Sequence, residues 1–135
     1  MKNNLSLTKS EYSVLETLWN CNESLSRRDI MEQTVNRTWK ENYLTTIINS
    51  LLKKGVIEVD GYKQYANILS RTFKPSITPT EYSKIKFEQS HIYKKDKKKA
   101  LSSLLSAFID QESDANILEE LKAKITEREN ELNKD

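Results

Sequence analysis

The hydrophobic rhythm of this chain breaks at Gly55. Before it, Leu44, Ile47, Ile48, Leu51 and Leu52 recur at helical spacing with polar residues between them, which predicts an amphipathic helix with one apolar face. Lys53 and Lys54 suit the negative C-terminal end of that helix, and Gly55 suits the left-handed position that closes it. After it, Val56, Ile57 and Val59 favour strand, Asp60-Gly61 is a turn signal, and Tyr65 with Ile68–Phe73 offers a return strand. A short helix running at once into a β-ribbon leaves few folds open.

The segments on either side narrow the choice further. "LTKSEYSVLETLW" opens with a capping box, Thr8 facing Glu11, and Tyr12, Leu15, Leu18 and Trp19 line one face of a helix over Lys9–Asn20. Asn20–Ser24 reads as a connecting turn. Ser26 caps a second, shorter helix, "RRDIMEQTV", with Asp29 at its positive end. Three helices and a hairpin over residues 1–77 make a winged helix-turn-helix. "SITPTEY" then restarts helix, with Thr78 as cap, Pro79 in the first position and Glu81 completing the box.

Two more helical segments follow, Lys99–Asp110 and Asp114–Asn133. Their apolar residues are Leu101, Leu104, Leu105, Phe108 and Ile109, then Ile117, Leu118, Leu121 and Ile125. Such thin amphipathic helices bury too little surface alone. The winged-helix core is filled by its own apolar faces, so pairing with a second copy is favoured over folding back. The expected architecture is mostly α with a small β wing: a winged-helix domain over 1–77 and a helical dimerisation region over 78–135.

Composition removes several function classes. The 135 residues include only two Gly and two Pro, as long helices and few turns require. No apolar run is long enough to cross a bilayer, and Met1–Ser10 is too polar for a secretory leader, so a cytoplasmic protein is expected. Cys21 is the single cysteine and His91 the single histidine, so neither a disulfide framework nor a metal site can be assembled from them. With no Gly-rich phosphate loop either, no enzyme and no cofactor are expected. Charge is unevenly spread: residues 1–80 carry 11 Lys/Arg against 8 Asp/Glu, residues 81–99 carry 7 against 3, and residues 100–135 carry 4 against 9. A basic body with an acidic tail fits an anionic partner for the first part only.

The polar side of the third helix is the candidate binding surface. Its outward stripe is Asn42, Thr46, Asn49 and Lys53, flanked by Tyr43, Thr45 and Ser50. Short polar side chains of this kind meet base edges when a recognition helix enters the major groove of double-stranded DNA. Lys40, Lys53, Lys63 and Arg71 are placed to meet phosphates, which supply affinity without sequence information. The plainer reading is the solvated face of an ordinary core helix; the adjoining ribbon favours DNA. The alternative function is a winged-helix protein–protein interaction module without sequence-specific DNA binding. "YKKDKKK" (Tyr93–Lys99) reads as a solvated junction between helices.

Taken in order, "LTKSEYSVLETLW", "TWKENYLTTIINSLLKKGVI" and "RTFKPSITPTEY" resemble the opening helix, recognition helix and wing end of the penicillinase repressor family of winged-helix transcriptional regulators. The resemblance spans nearly the whole chain. It implies a homodimeric repressor that binds a palindromic operator and dimerises through its C-terminal helices. In the β-lactam-responsive branch it further implies induction by a sensor protease, and alignment places the matching bond at Ala107–Phe108. The copper-responsive branch carries paired C-terminal cysteines, which this chain lacks. Four departures bear on the groove-facing set. Lys40 stands where a serine usually caps the recognition helix, so Thr38 with Glu41 is expected to cap it a turn earlier. Tyr43 replaces a threonine, Ser50 a frequent arginine, and Thr45 sits where some members are basic.

Overall fold

The computed structural model describes residues 5–134, so the first four residues of the polar Met1–Ser10 opening lie outside the described residues. The chain runs α1 (Lys9–Trp19), β1 (Leu25–Ser26), α2 (Arg27–Gln33), a single 3-10 turn (Glu41–Tyr43), α3 (Leu44–Lys53), β2 (Ile57–Tyr65), β3 (Ile68–Pro75), α4 (Pro79–Glu88), α5 (His91–Lys95), α6 (Lys97–Gln111) and α7 (Ala115–Leu132). It divides into two compact units, one ending at Ser90 and one beginning at His91. The first is a winged helix. Its antiparallel sheet has the order β1-β3-β2, with Leu25 opposite Phe73 at one edge and Ile57 opposite Pro75 at the other. No helix among the described residues is long and apolar enough to cross a membrane.

Capping sets the helix starts. Thr8, Ser26 and Thr78 each accept a hydrogen bond from the backbone N–H three residues on, while Glu11, Asp29 and Glu81 bond back to the cap N–H. These boxes satisfy amide donors that a helix start otherwise leaves open. At the other end of α3, Gly55 at φ 76° carries the chain out. Its N–H donates to the Leu52 carbonyl at 3.1 Å, and the Val56 N–H donates to Leu51 at 3.2 Å. That paired closure puts Val56 in the core and aims Ile57 into the ribbon.

The core of this unit is assembled from Val14, Leu15 and Leu18 of α1, Ile30 of α2, Leu44, Ile47, Ile48 and Leu51 of α3, and Val56, Phe73 and Ile77. The expected apolar face of α1 holds at Leu15 and Leu18 and is corrected at its other members. Val14 is fully buried, whereas Tyr12 and Trp19 are only partly so. Those two turn to the flank, where they form an aromatic trio with Tyr82 of α4, ring centroids 5.4 to 5.9 Å apart. The Trp19 indole N–H donates to the Ile77 carbonyl at 2.8 Å, so a ring with a polar edge can sit at the core margin.

The ribbon also differs from expectation. Asp60-Gly61 is not its turn. β2 runs on to Tyr65, and the reversal falls at Ala66-Asn67, with Ala66 left-handed at φ 49°. Asp60 is instead the extra residue of a β-bulge: Val59 faces Phe73, Gly61 faces Thr72, and Asp60 faces nothing. Gly61 supplies the φ of 144° that the bulge needs. The Asp60 carboxylate is drawn outward by the Ser24 hydroxyl and by Lys74, whose ammonium lies 3.2 Å away. A further correction concerns the start of α3, where neither Lys40 nor Tyr43 caps through its side chain. The cap expected of Thr38 with Glu41 is not formed; the turn is held from α2 instead, where Arg27 Nη2 donates to the Glu41 carbonyl at 2.7 Å.

In the second unit, α6 begins two residues before the expected Lys99, because Asp96 accepts from the Lys99 N–H at 3.1 Å and caps it. The "YKKDKKK" junction is thus mostly helical, divided between the end of α5 and the start of α6.

One buried carboxylate fixes α3 against α1. Glu11, 6% exposed, accepts from Lys54 Nζ at 2.7 Å, from the Ser50 hydroxyl and from the Thr8 N–H at 2.9 Å. Burial works against its charge, but these donors outweigh burial and hold the carboxyl below the ordinary value of 4.5. Its stabilising effect is therefore full above that value and lost as pH falls through the lower folded pKa. Glu11→Gln should cost about 2–3 kcal/mol at neutral pH by urea unfolding. The gap to wild type should narrow below pH 4.5; equal stability at neutral pH would refute this role.

Candidate nucleic-acid interface

Burying one side of α3 leaves the other free. Leu44, Ile47, Ile48 and Leu51 are at most 2% exposed, while Asn42, Tyr43, Thr45, Thr46, Asn49 and Lys53 all lie on the open side. Asn42 and Tyr43 stand on the 3-10 turn that leads into α3, and Lys40 precedes it, also exposed. Ser50 does not join this face. It is half-buried and donates to Glu11, so the interior pair claims a residue that the helical wheel placed beside the stripe.

The wing brings cations to the same unit in two different states. Arg71, on β3 opposite Tyr62, is exposed, lies 5.2 Å over the Phe73 ring and has no ion pair among the described residues. Lys63 is engaged. Its ammonium reaches Asp29 at 3.2 Å and lies 5.3 Å over the Tyr65 ring, and the Asp29 hydrogen bond raises its pKa. Asp29 is a small hub: it accepts from the Ser26 N–H at 3.1 Å and from the Tyr65 hydroxyl at 3.0 Å as well. Burial opposes its charge, yet Ser26, Lys63 and Tyr65 together hold the carboxyl below its ordinary value. The arrangement locks the wing to the start of α2 and draws on the charge of Lys63 to do so.

Arg27 was not foreseen from the sequence. Besides holding the Glu41 carbonyl, its Nε donates to Thr45 Oγ1 at 3.0 Å, so a guanidinium from α2 stands beside the open face of α3. Arg27 opens α2, and nothing in the local pattern of "RRDIMEQTV" points to a helix that starts 17 residues later; the contact is purely tertiary. Arg28, next to it, pairs with Glu32 at 3.8 Å and lies 5.1 Å over Tyr65.

In the second unit, the apolar residues expected to pair two chains are open along a single one. Leu101, Leu105, Phe108, Ile117, Leu121 and Ile125 are between 36% and 63% exposed, and Leu104 and Leu118 are intermediate. On α6 they fall at offsets of helical spacing, which gives one continuous stripe. Ala107–Phe108 lies inside the 15-residue α6. A protease takes its substrate extended, so a cut there requires this helix to unwind locally.

The penicillinase repressor family model matches residues 7–127. No curated protein matches the chain significantly.

Proposed function

Because the chain belongs to the penicillinase repressor family, whose members are transcriptional regulators, we propose that it is a cytoplasmic repressor that binds a palindromic operator as a homodimer. The observation that carries this reading is the open polar side of α3, presented beside a wing whose Arg71 is unpaired among the described residues. α3 enters the major groove. Asn42 and Asn49 can each bond adenine at two points, and the Thr46 methyl can touch a thymine methyl. Lys40, Lys53 and Arg71 meet phosphates, with Lys63 a weaker contributor while Asp29 holds it. Two copies place their recognition helices about 34–36 Å apart, on one face of the duplex.

The partner along α6 and α7 is a second copy of the chain, because each copy carries the same uncovered stripe and a two-fold axis makes it self-complementary. Relief of repression follows from a sensor protease cutting Ala107–Phe108, which splits the α6 stripe. A protein–protein module remains the second reading, favoured by the modest positive charge of the α3 face.

Asn49→Ala should relax base preference at one operator position by about 1–3 kcal/mol, read by selection from a random duplex pool. Arg71→Ala should weaken all duplexes alike and lower the salt slope by about 1. Absence of any specific retardation at low salt would favour the protein–protein module. Leu105→Asp with Leu121→Asp should convert a dimer to a monomer in sedimentation and lower operator affinity; an unchanged mass would place the dimer contact elsewhere. After induction in cells, mass spectrometry should find a fragment ending at Ala107, and an intact chain in fully induced cells would exclude that route.

A further inference from the structure

We infer that the cleft between α3 and the wing is a seat for one phosphodiester group, with Arg27 as its unforeseen member. This inference rests on the DNA-binding reading and deepens it. The cleft encloses about 170 Å³ and is lined by Arg27, Thr45, Ile48, Ser70, Arg71 and Phe73. Its cations come from two elements, α2 and β3, and neither forms an ion pair among the described residues.

Counting donors shows what the cleft can accept. A guanidinium has five N–H donors and no acceptor. Arg27 commits its Nε to Thr45 and one Nη2 hydrogen to the Glu41 carbonyl, so the remaining N–H groups are free. Because Thr45 Oγ1 already accepts from Arg27, its own proton must point elsewhere. No protein acceptor takes that proton among the described residues. Arg27, Arg71 and the Thr45 hydroxyl therefore all offer hydrogens, with the Ser70 hydroxyl able to join them. Ile48 and Phe73, each 2% exposed, contribute the apolar part of the lining, and low polarity nearby strengthens charge–charge attraction. A compact anion with several acceptor oxygens fits this set, and guanidinium pairs bind phosphate in a fork geometry.

The location selects the source. Thr45 borders both the cleft and the open face of α3, so a duplex lying on that face passes its backbone over the cleft. Arg27 also holds the Glu41 carbonyl, so an occupied seat steadies the turn that carries Asn42 and Tyr43. Backbone contact and base reading are thereby joined through one side chain.

The test is methylphosphonate scanning of the duplex recovered by pool selection, with binding read by fluorescence anisotropy. For wild type, neutralising the seated phosphate in one half-site should weaken binding about tenfold, the equivalent of one charge-assisted hydrogen bond. Arg27→Gln and Arg71→Gln should both be blind to that same substitution. Arg27→Lys, which keeps the charge but loses the fork, should remain partly sensitive. Circular dichroism melting of the variants separates loss of contact from loss of fold, and the wild-type scan needs no variant. Two different phosphates for the two arginines, or none lost with Arg27→Gln, would overturn the seat while leaving DNA binding intact. Competition by inorganic phosphate at constant ionic strength, for wild type but not Arg27→Gln, would reassign the seat to free phosphate and overturn it for DNA. A wild type that retains no duplex overturns both readings.

Discussion

The seating of α3 against α1 turns on Glu11, a carboxylate buried between them. An ionised carboxylate removed from water is costly unless every oxygen is met. Here the donors come from three directions: the Thr8 backbone, the Ser50 hydroxyl inside α3, and the Lys54 ammonium at its end. Lys54 also donates to the Ser6 carbonyl at 2.7 Å, which ties down the segment ahead of α1. Satisfying one charge thus fixes the rotation of α3 about its axis as well as its position. The apolar residues alone would tolerate some rotation, since hydrophobic burial is non-directional. The apolar residues set which side faces outward, the carboxylate pins that orientation, and Ser50 is withdrawn from the open face to complete the pair.

The same economy recurs at the wing. Asp29 completes the capping box of α2 and also anchors Tyr65 and Lys63 from β2. A two-stranded ribbon is marginally stable by itself, and this one gains a polar anchor through a helix cap that α2 requires anyway. The β-bulge at Asp60 adds local twist where Gly61 relaxes the backbone. One basic residue of the wing is spent on holding it in place, while Arg71 on the partner strand keeps its charge available.

Much of this was legible in the sequence where the physics is local. Capping boxes at Thr8 and Thr78 and the cap at Ser26 need only near neighbours, and the Gly55 closure needs only a glycine after a periodic run; all four are present, and at Ser26 Asp29 closes a full box instead of serving only as a favourable charge. The apolar face of α3 is likewise a property of its own periodicity. The misses are places where distant residues decide. Asp60-Gly61 has turn chemistry, but strand pairing runs on to Tyr65 and Ile68, so the signal becomes a bulge whose Asp60 meets Ser24 and Lys74. Trp19 and Tyr12 look like core residues until Tyr82, far along the chain, offers them a flank. The start of α3 lacks a side-chain cap, and its tie to α2 is instead a bond from Arg27 to the Glu41 carbonyl, made from another helix. For the same reason Arg27 was invisible as a site residue, although the open stripe of α3 was not.

On the proposed reading, the two units respond to ionic strength with opposite signs. Binding of the first unit to a duplex releases counterions from phosphates, so salt weakens it. The second unit is different. From residue 100 onward the chain carries a net negative charge, and two copies brought together repel across distances that salt screens over roughly 8–10 Å. Burial of the α6 and α7 stripes must outweigh that repulsion, and apolar burial is strengthened rather than screened by excluded salts. Added salt therefore favours the dimer while loosening its hold on DNA. Since a palindromic site rewards two linked recognition helices far more than one, operator occupancy is governed by whichever equilibrium is nearer its midpoint. At low protein concentration that is dimerisation, and the acidic tail then limits repression as much as the polar face of α3 does.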